Sequence, residues 1–130
     1  MPQPLYLDNA ATTPVLPEVR DAMLPFLGGE TFGNPSSPHR YGRAARAALE
    51  QARQEVAASL SADSGAVYFT SGGTEADNLA VLGGSLAARA SGRPFRVAVG
   101  ACEHKAVLAA AHAVEDAGGE AVTIPVDRAG

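Results

Sequence analysis

Several residue types are scarce in this sequence of 130 residues, which has one cysteine, one lysine and no tryptophan. Because Cys102 is the only cysteine, no disulfide can form within the chain, and we expect a reducing, cytoplasmic location. Apolar runs of the roughly 18 residues that span a membrane are absent, and the N-terminus lacks the basic and apolar regions of a signal peptide. The 10 basic and 14 acidic residues give a net charge of −4 without a basic patch. We therefore expect neither a membrane nor a nucleic acid as a partner.

The composition indicates a folded globular chain, since 46% of the residues are hydrophobic and 18% are charged. The length suits a single domain. Within it we distinguish an N-terminal arm with helices over residues 1–65 and an α/β part over residues 66–130.

Two helices are predicted in the N-terminal part. Pro17 suits the first turn of a short helix that ends at Phe26. A long amphipathic helix follows, with Ser37 as its N-cap, Pro38 as its first residue and a stripe of apolar residues that reaches Leu60.

Residues 66–130 alternate between short apolar runs and helical stretches, a pattern typical of a βαβαβ unit. Because parallel strands need crossover connections, this order predicts a parallel sheet with right-handed crossovers. Three strands leave such a sheet incomplete, and we expect the opening part of a larger α/β domain. The predicted strands are Ala66–Thr70, Phe95–Val99 and Glu120–Val126, and the predicted helices are Glu75–Ala90 and His104–Ala117.

A glycine-rich turn between the first predicted strand and its helix is a candidate anion site. Gly72 and Gly73 would let a phosphate approach the backbone, and Thr74 adds a hydroxyl donor. The N-terminus of a helix attracts anions through its free N–H groups and partial positive charge. The alternative is a helix cap with a tight turn and no ligand.

His104 follows the second predicted strand, as the glycine-rich turn follows the first, so both would lie at the carboxyl edge of the sheet. A histidine there could stack on a ring, act as a general acid or base, or cap the third helix. Cys102 is two residues away, and we interpret it as structural. His39, Glu103 and His104 do not have a metal-ligand spacing, and we predict no metal site.

Four motifs in order resemble the N-terminal signatures of the cysteine desulfurases, which belong to the class V aminotransferase group of fold type I pyridoxal 5′-phosphate (PLP) enzymes. The resemblance covers essentially the whole chain. The motifs are Leu7–Pro14 (LDNAATTP), Phe32–Ser37 (FGNPSS) with His39, Phe69–Asn78 (FTSGGTEADN) and Glu103–Leu108 (EHKAVL).

The resemblance implies the fold and the site. The fold would be a three-layer sandwich with a mainly parallel sheet, the N-terminal part of the fold type I large domain preceded by a helical segment. The residues implied for the PLP phosphate are Gly72, Gly73 and Thr74, where the family commonly has alanine at the position of Gly73. The residue implied for the pyridine ring is His104, and those implied for the substrate side are Asn9, Ala10, Ala11 and Asn34.

The activity that the resemblance implies is removal of sulfur from L-cysteine, which gives L-alanine and an enzyme persulfide for iron–sulfur cluster or thio-cofactor synthesis. A homodimer and a sulfur-acceptor protein are implied as well. The family's Schiff-base lysine and persulfide cysteine belong to motifs that would follow Gly130. Lys105 and Cys102 lie in other motifs, so we assign no catalytic residue to this chain and expect it to be inactive alone.

Two other interpretations remain open. The chain could belong to a selenocysteine lyase or another class V enzyme, because the residues that separate these enzymes would lie beyond Gly130. It could also be a non-catalytic truncated product that keeps the anion site or associates through its exposed sheet edge.

Overall fold

The computed structural model describes residues 4–28 and 31–129. The chain forms two compact units, which we call the arm unit (Met1–Tyr68) and the sheet unit (Phe69–Gly130). The predicted division into residues 1–65 and 66–130 stays a prediction.

The arm unit is helical, as predicted. Helix α1 spans Pro17–Met23 with a proline in its first turn, and a 3₁₀ turn at Leu24–Phe26 continues it. Helix α2 spans Arg40–Ser59. Both predicted helices of this part are therefore confirmed.

The predicted start of α2 is wrong by two residues. His39, not Ser37, is the N-cap, and its Nδ1 accepts a hydrogen bond from the Gly42 N–H at 3.3 Å. Ser37 instead closes a preceding turn, because its N–H donates to the Asn34 carbonyl at 2.9 Å. Pro38 therefore lies before the helix and is not its first residue.

The predicted strand Ala66–Thr70 is also wrong. Ala66 ends a 3₁₀ turn that begins at Ser64, and Val67 has extended backbone angles without a strand partner. The Val67 N–H donates to the Ser64 carbonyl, and its own carbonyl accepts from the Arg53 guanidinium. These local bonds occupy the N–H and the carbonyl of Val67, which a sheet ladder at that residue would need.

One continuous helical stretch opens the sheet unit. It consists of helix α3 (Gly73–Asn78), a π-helical turn (Leu79–Gly83) and helix α4 (Gly84–Ala90). The predicted helix Glu75–Ala90 is confirmed, but it starts two residues earlier because Gly72 serves as the N-cap. The π-helical turn has no signal in the apolar spacing.

Two parallel strands and one crossover helix complete the sheet unit. Strand β1 spans Arg96–Gly100, helix α5 spans Lys105–Asp116, and strand β2 spans Glu120–Ile124. The strands pair in parallel, from Arg96 opposite Glu120 to Gly100 opposite Ile124. The α/β class with a parallel sheet is thus confirmed, whereas the described residues contain two strands rather than the predicted three.

The core of the sheet unit lies between α5 and the strands. The buried face of α5 is made of Ala106, Ala110, Ala111 and Val114. Val99 of β1 is also buried, and Val114 has no exposed surface. Burying a valine stabilises a fold by about 2 kcal/mol, so this small core depends on α5. The opposite side of β2 is open, because Val122 and Ile124 are 45% and 51% exposed.

Candidate functional site

The start of α3 is the first part of the candidate site. Gly72 is the N-cap and has no side chain to cap the helix, while Gly73 and Thr74 form its first turn. The first N–H groups of a helix have no carbonyl partner within it. A Cβ atom built on Gly72 or Gly73 would meet nothing within 4 Å. This turn is therefore open to a ligand and presents hydrogen-bond donors that suit an anion.

Glu75 holds this turn together, a role that the sequence reasoning missed. Its Oε2 accepts hydrogen bonds from the Ser71 hydroxyl at 2.6 Å and from the Ser71 N–H at 2.7 Å. The glutamate at the third helical position reaches back to the chain before the helix, much as in a capping box. Serine at 71 and glutamate at 75 were the signals that could have indicated it.

The two bonds from Ser71, first that of its hydroxyl and then that of its N–H, hold the pKa of the Glu75 carboxyl below its ordinary value. The deprotonated carboxylate is therefore the form that closes the turn. The stability that it contributes is present above the pKa of the unfolded chain and is lost as the pH falls through the lower folded value.

His104 lies at the start of α5, directly after the turn that follows β1. Its Nδ1 accepts a hydrogen bond from the Ala106 N–H at 3.2 Å, so the imidazole is the N-cap of the helix. Because Nδ1 is the acceptor, the neutral ring carries its hydrogen on Nε2. Of the roles considered for this residue, capping is the one that the structure shows directly.

The glycine-rich turn before α3 and the turn before α5 are related by helix packing and not by a shared sheet edge. The glycine-rich turn does not follow a strand, so the predicted common carboxyl edge is wrong for Gly72–Thr74. However, α3 packs against α5 within the sheet unit. The elements that carry the predicted phosphate ligands and His104 are thus in direct contact.

We expect His104→Ala to lower the free energy of unfolding by about 1 kcal/mol, because the Ala106 N–H loses its acceptor. His112→Ala is the matched control, since His112 is exposed in the middle of the same helix, and we expect a change below about 0.5 kcal/mol. Urea unfolding of the three chains measures both values. Equal effects of the two substitutions would contradict a capping role.

Asn9, Ala10 and Ala11, predicted for the substrate side, lie in an exposed turn of the arm unit. The Ala11 N–H donates to the Asp8 carbonyl at 3.1 Å. The Tyr6 hydroxyl donates to the same carbonyl at 2.8 Å, so this ring holds the turn from one side. The sequence reasoning did not identify Tyr6.

Asn34 also lies in the arm unit, in a turn before α2. Its Oδ1 accepts from the Ser36 N–H at 2.8 Å, and its carbonyl accepts from Ser37. The structure thus places the predicted substrate-side residues in the arm unit and the predicted PLP ligands in the sheet unit.

Residues 5–130 match the family described as aminotransferase class-V. The chain belongs to this family. It is 46% identical over 130 residues to the cysteine desulfurase IscS of Dictyoglomus turgidum, covering 100% of this chain and 32% of that protein. Among solved structures it resembles a NifS-like protein with a TM-score of 0.78 and 34% identity, over 92% of this chain and 32% of the other. It also resembles SspA in complex with cysteine, with a TM-score of 0.76 and 31% identity, over 88% of this chain and 32% of the other.

The family resemblance inferred from the four motifs is therefore confirmed. This class V aminotransferase chain spans about a third of the length of the relatives that it matches, 32% in the case of the D. turgidum protein. The agreement of fold and sequence extends over both units, since the NifS-like structure covers 92% of the chain.

Cys102 and Lys105, to which the sequence assigned no catalytic role, are close to His104 in the sequence. Cys102 is an exposed free thiol in the turn after β1, and Lys105 is the first residue of α5.

Among residues 4–28 and 31–129, no group of three His, Cys, Asp or Glu side chains could hold a metal ion. Within the same part of the chain, none of the helices has the length and apolar character that crossing a membrane requires.

Proposed function

We propose that this chain is the part of a PLP-dependent cysteine desulfurase that binds the phosphate of the cofactor. The observation that carries the proposal is the uncapped helix start at Gly72–Thr74, which offers N–H groups and open space to an anion. It occurs in a chain that belongs to the class V aminotransferases.

The residues present fit PLP on two counts. Gly72 and Gly73 have no side chains, which leaves space for a phosphate. The N–H and the hydroxyl of Ser71 are already bonded to Glu75, so the donors offered to the phosphate are those of Gly73 and Thr74. The imidazole of His104 is held by its cap bond on an element that packs against α3. A fixed, neutral ring suits stacking on a pyridine.

Each of these residues would have a simple physical role. When bound, PLP supplies the electron sink for reactions at the α-carbon of an amino acid. The N–H groups of Gly73 and Thr74 and the Thr74 hydroxyl would bind and orient the phosphate. His104 would hold the ring in place and keep a proton at Nε2, on the side of the imidazole away from Ala106.

The remaining assignments are part of the same proposal. L-Cysteine is proposed as the substrate of the whole enzyme, which the SspA structure in complex with cysteine supports. A homodimer and a sulfur-acceptor partner are proposed from the family relationship alone. A cytoplasmic, reducing location is proposed because the one cysteine is exposed and free.

The test is titration of the chain with PLP, followed by borohydride reduction and peptide mass mapping. We expect PLP to bind without a covalent adduct on Lys105, the only lysine. Thr74→Val should weaken binding about tenfold through loss of the hydroxyl. Thr123→Val, the same chemical change on β2, should not alter binding.

Two outcomes would contradict the proposal. A chain that does not bind PLP would show that these residues do not form the phosphate site. A stoichiometric reduced adduct on Lys105, absent from Lys105→Ala, would show that the chain supplies its own lysine and that our transfer of family roles is wrong there.

A further inference from the structure

Glu75 and Asn78 belong to the motif Phe69–Asn78, yet neither is among the residues proposed to contact PLP. Both lie in α3, which continues through the π-helical turn and α4 to Ala90. Their side chains bond to the backbone of the glycine-rich turn and of the first turn of the helix. All of these contacts lie within the sheet unit.

Ser71 is anchored by a single oxygen atom of Glu75. This Oε2 accepts from the Ser71 hydroxyl at 2.6 Å and from the Ser71 N–H at 2.7 Å. Hydrogen bonds to a carboxylate are shorter and stronger than those between neutral groups. Because both donors of Ser71 are engaged inside the protein, this serine serves as an anchor of the turn rather than as an anion ligand.

The carbonyl groups of the turn are also bonded. The Gly72 carbonyl accepts from the Ala76 N–H and from the Thr70 hydroxyl, each at 3.1 Å. The Thr74 carbonyl accepts from Nδ2 of Asn78 at 2.8 Å. A carbonyl oxygen repels an anion, so bonds that engage these oxygens favour a turn that presents N–H groups. The side chains around the turn thus determine which of its polar groups a ligand meets.

The negative charge of Glu75 allows two roles of this residue to be distinguished. A like charge near a bound anion weakens its binding. If Glu75 acted only through its charge, its removal would tighten PLP binding. If it acts by holding Ser71, its removal would loosen the turn and weaken PLP binding. The two roles therefore predict changes of opposite sign.

We propose that Glu75 is a positioning residue of the phosphate site, which acts through Ser71 to hold the backbone of Gly72–Thr74 in the form that donates to the cofactor. This inference rests on the proposed function for the presence of PLP. The anchoring of Ser71 rests only on contacts within the sheet unit. A turn that is ordered before its ligand arrives loses less conformational freedom on binding, which raises the affinity.

The role is tested by PLP titration of three variants of the complete chain. Glu75→Ala removes the acceptor and should weaken PLP binding about tenfold. Glu75→Gln removes the charge but keeps an oxygen that can accept both Ser71 bonds, so it should bind PLP at least as tightly as the unmodified chain.

Asp77→Ala is the matched control for the charge. Asp77 is also acidic and lies in α3, and its carboxylate has no hydrogen bond or ion pair within residues 4–28 and 31–129. Its removal should not weaken PLP binding. Unchanged or tighter binding by Glu75→Ala would overturn the positioning role, and so would an equal loss of affinity in Glu75→Gln or Asp77→Ala.

The path through Ser71 is tested by a double substitution. Ser71→Ala removes the hydroxyl bond and keeps the N–H bond, so it should weaken PLP binding about threefold. In the Glu75→Ala chain the same change should have no further effect, because the hydroxyl has already lost its acceptor. Additive losses of affinity would show that Ser71 and Glu75 act separately and would overturn this path.

Amide hydrogen exchange separates this inference from the proposed function. In the chain without PLP, Glu75→Ala should raise exchange at the Ser71 amide about tenfold, while exchange in the middle of α5 stays unchanged. An unchanged rate at Ser71 would contradict the anchoring by Glu75, whether or not PLP binds. Failure of the unmodified chain to bind PLP would contradict the proposed function, and the exchange rates would still decide whether Glu75 holds Ser71.

Discussion

Replacing Gly42 by alanine is expected to lower the free energy of unfolding by about 3 kcal/mol, the upper range for inserting a methyl group into a closely packed site. The new Cβ would lie 2.2 Å from the Ser37 oxygen and 2.7 Å from the Asn34 oxygen. Either α2 or the turn before it, which contains Asn34 and Ser37, must move. This turn is held by the hydrogen bond from Arg46 to the Pro35 carbonyl. The loss should therefore be accompanied by faster amide exchange at Ser36.

Gly84→Ala is the matched control for this substitution. Gly84 is also helical, but a Cβ atom there meets nothing within 4 Å. Alanine should therefore stabilise the chain by about 0.5–1 kcal/mol through its better helix propensity. Urea unfolding measures both. A Gly42→Ala chain as stable as Gly84→Ala would show that the turn does not press on the helix.

The second large effect is expected for Gly119→Ala in the sheet unit, at about 2–3 kcal/mol. Gly119 lies between the end of α5 and β2, and its N–H donates to the Val114 carbonyl at 2.8 Å. A Cβ atom there would lie 2.6 Å from Val114 Cγ1 and 2.8 Å from the Phe95 carbonyl oxygen. The substitution would thus push α5 away from the start of β1.

A double substitution isolates the cause. Val114→Ala alone removes two methyl groups from a fully buried side chain and should cost about 2 kcal/mol. In the Gly119→Ala chain the same change should cost less, because it removes one of the clashing atoms. Thermal or urea unfolding of the unmodified chain, the two single variants and the double variant gives the interaction free energy between positions 114 and 119. Strictly additive effects would contradict a clash between these positions.

Local patterns of apolar residues were sufficient to predict most of the helices and strands. The stripe that reaches Leu60 predicted α2, and the apolar runs after Gly92 and Gly119 predicted β1 and β2. These signals hold because burial of one helix face or one strand side imposes its period on the sequence. The run at Ala66–Thr70 is also short and apolar, but the Val67 N–H donates to the Ser64 carbonyl and the Val67 carbonyl accepts from Arg53.

The N-cap residues of the helices likewise could not be predicted from residue type alone. Ser37 has the residue type that caps helices, yet His39 is the N-cap of α2, and His104 is the N-cap of α5. An imidazole nitrogen can accept the same N–H bond as a hydroxyl. Which acceptor is used depends on where the preceding chain is held, and here Ser37 is held in the turn with Asn34.

The sequence by itself determined the family, the α/β class and the identity of the glycine-rich turn and His104 as site candidates. These depend on residue type and local spacing, which the chain carries regardless of its packing. Only the tertiary structure decided that Glu75 closes the turn at Ser71, that Nδ1 of His104 is occupied, and that Arg46 reaches Pro35. Such bonds form only when the two groups are placed to within a few tenths of an ångström. Their positions follow from packing, and no residue pattern specifies them.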